Sequence, residues 1–223
     1  MFKQMKNRAS ITLLICSLGL SVSLPLLAQT KPLYENSFEK ADVGKLPDGF
    51  LALDGGFVVK EEEGNKVLEL PGAPLDSFSV QFGPTESSDI AISARIKGAA
   101  KGRRYPTFGI GLNGVAGYKL QVSPAKKMVE LCKDQEVKAS IPFEWKSAEW
   151  THLRLQVRKA KAGEWKVEGK AWLQGSPEPE AWMIAADEKE EPTAGRASVF
   201  GSPFSGTPIQ FDDLKVSAVE AKK

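Results

Sequence analysis

Polar and apolar side chains alternate one for one along many short runs of this sequence. A two-residue period leaves the β-sheet as the structure that can bury the apolar half. In the run 89–97, Ile90, Ile92, Ala94 and Ile96 point one way, and Asp89, Ser93, Arg95 and Lys97 the other. In 150–158, Thr151, Leu153, Leu155 and Val157 form the inner set, leaving Trp150, His152, Arg154 and Gln156 outside. Tyr118, Leu120 and Val122 turn inward, so Lys119 and Gln121 face out; Phe108, Ile110 and Leu112 do likewise, with Gly109 and Gly111 behind them. Similar runs fall at 57–60, 66–70, 78–82, 128–132, 137–141, 165–173, 196–200 and 209–216, bounded by Gly, Pro, Asn and Asp. The stretch 180–191 is rich in Ala and Glu and could be a helix by propensity, but Trp182, Ile184 and Ala186 alternate as a strand would, so strand then loop is the favoured reading and helix the alternative. These observations predict an all-β fold, a two-sheet antiparallel jelly-roll sandwich with one apolar and one polar face per strand.

Residues 1–28 stand apart from that pattern. Lys3, Lys6 and Arg8 precede an apolar run over 11–27, and Ala28 supplies a small residue where a signal peptide is cut. The run is long enough to span a bilayer. Ser17, Gly19, Ser21, Ser23 and Pro25 dilute it, however, and no basic stop-transfer residues follow. The expectation is a cleavable signal peptide (1–28), one domain (29–218) and a disordered tail (219–223), with export to the periplasm or beyond and no stable membrane span after cleavage.

The leader holds three of the 30 basic residues and none of the 28 acidic ones, so its removal takes the formal charge from +2 to −1. The apparent basicity belongs to the leader, and no clustered basic face argues for nucleic acid. Past the leader only Cys132 remains, which excludes an internal disulfide. His152 is the one histidine, which excludes a multi-histidine metal site.

Several segments in order resemble a known family. They are Tyr34-Glu35-Asn36-Ser37-Phe38-Glu39 running through Gly44 to Leu46-Pro47-Asp48-Gly49-Phe50; Trp150-Thr151-His152-Leu153-Arg154-Leu155; the run from Trp172 through Gly175, Glu178 and Pro179 to Trp182; and Gly195-Arg196-Ala197 followed by Ile209-Gln210-Phe211-Asp212-Asp213-Leu214-Lys215-Val216. Together they resemble the concanavalin A-like lectin/glucanase superfamily, in its bacterial LamG-like and 3-keto-disaccharide hydrolase-like branch. The resemblance implies a concanavalin A-like jelly roll whose concave face holds sugar in many relatives. It also implies a structural Ca²⁺ tying the first and last strands. Asp212 matches the closing aspartate, Glu35 lies in the opening segment, and Gly64 marks an early turn.

The outward set contains the groups a sugar needs: Arg95, Lys119, Gln121, His152, Arg154 and Trp172, with Lys170 beside them. Trp172 on a polar face is informative because aromatic rings ordinarily seek burial. Gly109 and Gly111 would let a ligand approach the backbone; the alternative reading is that the 177–182 loop covers Trp172 and the glycines mark a bulge. Against catalysis, the glucanase signature E-x-D-x-x-E is absent. Glu61-Glu62-Glu63 reads as a solvated hairpin end, and Asp134 and Glu136 sit in a polar turn. Three readings follow: an exported module binding a glycan or cell-surface polysaccharide, a glycoside-cleaving enzyme of the 3-keto-disaccharide hydrolase type, and an envelope scaffold without a small ligand.

Overall fold

The structure, a computed structural model, describes residues 32–72 and 76–219. The expected signal peptide (1–28) and residues 220–223 of the expected tail lie outside the described residues. The chain runs through β1 (Tyr34–Asn36), β2 (Leu51–Ala52), β3 (Val58–Glu62), β4 (Asn65–Leu70) and β5 (Phe78–Glu86). It continues through β6 (Ile90–Lys97), β7 (Thr107–Leu112), β8 (Tyr118–Ser123), β9 (Met128–Lys133) and β10 (Glu136–Pro142). It closes with β11 (Trp150–Lys161), β12 (Glu164–Leu173), β13 (Ile184–Glu188), β14 (Gly195–Ser202) and β15 (Ile209–Ala218). The expected runs all appear as strands, and 180–191 resolves into the strand β13 followed by a loop. No helix among the described residues is long and apolar enough to cross a membrane.

Two antiparallel sheets form the sandwich. The first has the order β13-β12-β11-β6-β15-β4-β3, with β1 also on β15. The second has the order β10-β9-β8-β7-β14-β5-β2. The core lies between them. Ile90, Ile92, Ala94, Ile96, Leu153, Leu155 and Val157 come from the first sheet, facing Phe108, Ile110, Leu112, Leu120, Val122, Val80 and Phe82 from the second. Apart from the small Ala94, each such side chain contributes about 1.5–3 kcal/mol on full burial. The in/out parity read from the sequence holds along β6, β7, β8 and β11. The Glu61–Glu63 run does end a hairpin: Glu63 and Gly64 both take positive φ (53° and 81°), as a tight two-residue turn between right-twisted strands demands.

Carboxylates tie strands together on the outside of this core. Glu188 accepts from Tyr118 Oη at 3.0 Å and Lys133 Nζ at 2.6 Å, joining β13 of the first sheet to β8 and β9 of the second. Glu168 accepts from Gln156 at 2.7 Å and Arg158 at 2.8 Å. Glu130 accepts from Ser123 at 2.5 Å, Lys126 at 2.8 Å and Gln121 at 3.1 Å. In all three, burial pushes the pKa up, but the bonded cation and neighbouring donors outweigh it and hold the group below 4.5. Folding therefore releases protons near and below that value. The stabilisation is complete above pH 4.5 and is lost as pH falls through the lower folded values. Asp213 runs the other way, raised by burial and then by Asp212, and offsets part of the loss. Urea midpoints measured from about pH 7 to about pH 3 should fall steadily below about 4.5; a flat profile would contradict these pairings.

Candidate ligand-binding site

The six sequence-predicted sugar contacts do not share one face. Arg95, His152, Arg154 and Trp172 lie on the outer surface of the first sheet, and Lys119 and Gln121 on the outer surface of the second. The expectation of a single polar palm is corrected here. Alternation decides whether a side chain points in or out, while long-range pairing decides which sheet its strand joins.

On the first sheet the register aligns Asp212, Arg95, His152 and Trp172 in one cross-strand row, with Arg154 and Lys170 in the next. A hollow of about 140 Å³ sits over them, bounded also by Glu178 and Asp213. Its polar groups are already matched to one another. The His152 and Trp172 rings stack at 5.2 Å and 10°, and His152 Nε2 lies 2.7 Å from Gln174 Oε1. Arg154 and Lys170 both donate to Glu178 Oε1 at 3.1 Å. Lys170 Nζ also sits 4.8 Å from the centre of the Trp182 ring. The loop between β12 and β13 thus folds back and closes the face with its own side chains.

The Ca²⁺ set fails on the same sheet. Asp212 is buried, but Arg95 Nη2 donates to its Oδ2 at 2.6 Å, Asn65 Nδ2 to the same oxygen at 3.0 Å, and the Asp213 N–H to its Oδ1 at 2.7 Å. Arg95 Nε stands 3.0 Å from Asp213 Oδ2, an ion-pair contact without hydrogen-bond geometry. Gly64 is taken up in its hairpin turn, and Glu35 is exposed opposite Lys215. No cluster of three metal-ligating side chains occurs among the described residues. A dication needs six to eight oxygens, and here the one buried carboxylate is neutralised by a guanidinium. The residues present do not fit calcium.

The outer face of the second sheet is built differently. One cross-strand row reads Gln81, Ser198, Gly111, Lys119, Cys132. The next reads Ser79, Phe200, Gly109, Gln121, Glu130. The glycines do not leave the sheet bare, and β7 carries no bulge. A Cβ on Gly109 would lie 2.6 Å from Phe200 Cζ, so that glycine seats the Phe200 ring flat on the backbone. A Cβ on Gly111 would lie 2.6 Å from Ser198 Oγ. The result is a depression of about 210 Å³ lined by Phe78, Ser79, Gln81, Lys119, Gln135, Ser198 and Phe200, with Val115 on its rim.

What marks this depression is a group of polar side chains that open into it without protein partners among the described residues. Gln81 is 9% exposed and Ser198 6%, yet among the described residues neither side chain has a hydrogen-bond partner, nor do Ser79, Lys119 and Gln135. Donors and acceptors converging unpaired beside an aromatic surface form the arrangement of a small-ligand site. Gln121 is not among them, because its amide is spent on Ser123 and Glu130. Gln81, Ser198 and Phe200 escaped the sequence reading although the signal was there: parity along 196–200 sets Phe200 on a polar face as surely as it does Trp172.

Glu130 is the buried carboxylate nearest to this face and is held ionised. Its donors and the Lys126 ion pair hold its pKa below the ordinary carboxylate value, and among the described residues no carboxylate lines the depression itself. Asp134 and Glu136 occupy the exposed β9–β10 turn. Cys132 is buried, and burial raises its thiol pKa, which makes it a poor nucleophile.

The architecture is that of a concanavalin A-like sandwich. Among solved structures it is similar to the carbohydrate-binding module CBM66 from Bacillus subtilis, at 13% identity over 76% of this chain and 96% of that one, with a TM-score of 0.52. It is also similar to the exoplasmic/lumenal domain of VIP36 in a Ca²⁺/Man2-bound form, at 10% identity over 78% and 82% of the two chains (TM-score 0.53). A third similarity is to xylan β-1,4-xylosidase from Bacillus halodurans C-125, at 11% identity over 85% of this chain (TM-score 0.57), of which the match spans only 40%. No family model matches the sequence, and no curated protein matches it significantly.

Proposed function

We propose that this chain is an exported, non-catalytic carbohydrate-binding module, periplasmic or secreted, that holds a glycan in the depression over Gly109 and Phe200. The observation that carries this reading is the contrast between the two outer faces. The Trp172 face has matched its polar groups internally, whereas the Lys119 face presents an amide pair, hydroxyls and an ammonium without protein partners beside an aromatic ring. Hydroxyl-rich ligands satisfy such a set, with amides bonding hydroxyl pairs and the ring covering a sugar's apolar C–H face. The similarity in fold to a carbohydrate-binding module and to a mannose-bound domain supports the class of ligand.

A second reading seats the sugar on the first sheet, over the stacked His152 and Trp172 rings. A glycan array followed by titration separates the two. Gln81→Ala should weaken binding about tenfold, as loss of a buried hydrogen-bonding group does. Trp172→Ala should leave affinity unchanged. The reverse result moves the site to the first sheet, and an array without a single hit removes the lectin reading in favour of the scaffold.

A further inference from the structure

We infer that the glycan bound in this depression is acidic, with a carboxylate or sulfate group seated on Lys119; the inference rests on the binding reading above and specifies its ligand. Among the described residues Lys119 is the one charged side chain lining the depression, and no aspartate or glutamate lines it. Several other lysines of the sandwich have found carboxylates, while Lys66, Lys166 and Lys215, half-buried like Lys119, form no ion pair among the described residues. Lys97 pairs with Glu62 at 3.1 Å, Lys126 with Glu130 at 2.8 Å, Lys133 with Glu188 at 2.6 Å, and Lys170 with Glu178 at 3.1 Å. Among the described residues Lys119 forms no ion pair; its Nζ lies 5.9 Å from the Phe200 ring centre.

The one carboxylate on this face that could have paired with it is withheld. Glu130 stands in the neighbouring cross-strand row, where Ser123, Gln121 and Lys126 hold both of its oxygens. Lys126 reaches it from the β8–β9 turn, so the framework has spent a different lysine there and left Lys119 free.

The chemistry of the lining points the same way. An ammonium offers three donors and no acceptor. A neutral sugar supplies hydroxyls that also need acceptors, which a carboxylate provides best, and none faces this hollow. An anionic group takes the ammonium's donors, removes the uncompensated charge and leaves Gln81, Gln135, Ser79 and Ser198 for the ring hydroxyls. Charge-assisted contacts of this kind are about twice as strong as neutral ones.

The test begins with an array holding uronate-containing, sulfated and neutral glycans, probed with the chain from residue 29 onward. It continues with titration of an oligogalacturonide against the same oligomer with its carboxyls reduced to alcohols, and of a sulfated galactan against its desulfated form. One acidic member should bind about tenfold more tightly than its neutral counterpart at low ionic strength, and the margin should shrink as salt is added. Lys119→Gln should erase the margin, while Lys161→Gln, the same charge change at a remote strand end, should preserve it. Which pair shows the margin identifies the acid as carboxylate or sulfate. Hits confined to neutral glycans, or a margin that survives Lys119→Gln, overturn the inference and leave the binding reading standing. An array with no hits overturns both.

Discussion

Replacing Arg95 by methionine should lower the unfolding free energy by about 3–5 kcal/mol, the cost of leaving a buried charge without its partner. Asp212 is 1% exposed, and among the described residues Arg95 supplies its only cationic contact, at 2.6 Å. Without the guanidinium the carboxylate keeps two neutral donors, the Asn65 amide and the Asp213 N–H. Arg95 also packs 4.8 Å from the centre of the Trp150 ring, so β6, β11 and β15 would lose a shared anchor. The Asp213 contact contributes far less, because that side chain is 56% exposed and solvent screens it. Asp213→Asn should therefore move the urea midpoint little. Combining Arg95→Met with Asp212→Leu should recover most of the loss, since an apolar pair of similar volume replaces a buried ion pair at low cost. If the single Arg95 variant melts like the parent, the tie is not what holds Asp212 in the fold.

Gly109→Ala is expected to act on stability and on the depression together. The added Cβ would stand 2.2 Å from the backbone carbonyl of Leu120 and 2.6 Å from Phe200 Cζ. A ring can swing aside, but a carbonyl on the paired strand cannot, so β7 and β8 must shift apart. Overpacking of this kind costs about 1–3 kcal/mol and sometimes more. For a domain of this size that lowers the melting temperature by several degrees, at about 2–4 °C per kcal/mol. Glycan binding measured well below the new midpoint should also be lost, because the displaced ring occupies the space a sugar would fill. Gly56→Ala serves as the control: its nearest neighbour would be Pro71 Cγ at 3.9 Å, an ordinary contact. Equal melting behaviour of the two variants would contradict the account of Gly109 as the seat of Phe200.

The arginine anchor also bears on the calcium expectation. Asp212 stands where the closing aspartate was expected, and its strand does pair with β1. What the residue type could not reveal is that Arg95, some 117 positions earlier, would arrive across the β6–β15 register to neutralise it. Likewise His152 and Trp172 were correctly placed outside, but their mutual stacking and the closure by Gln174 and Glu178 depend on a loop conformation that no periodicity encodes.

By itself the sequence determined which residues make strands, which side of each strand is oily, and that the product is a sandwich of antiparallel sheets. It could do so because period-two burial is a local property, written in every run from 57–60 to 209–216. Tertiary structure alone decided which outer residues stand together. Partnership between strands distant in the chain is set by the packing of the whole core, and it placed Lys119 beside Gln81 and Ser198 while carrying Arg95 and Trp172 to the opposite surface.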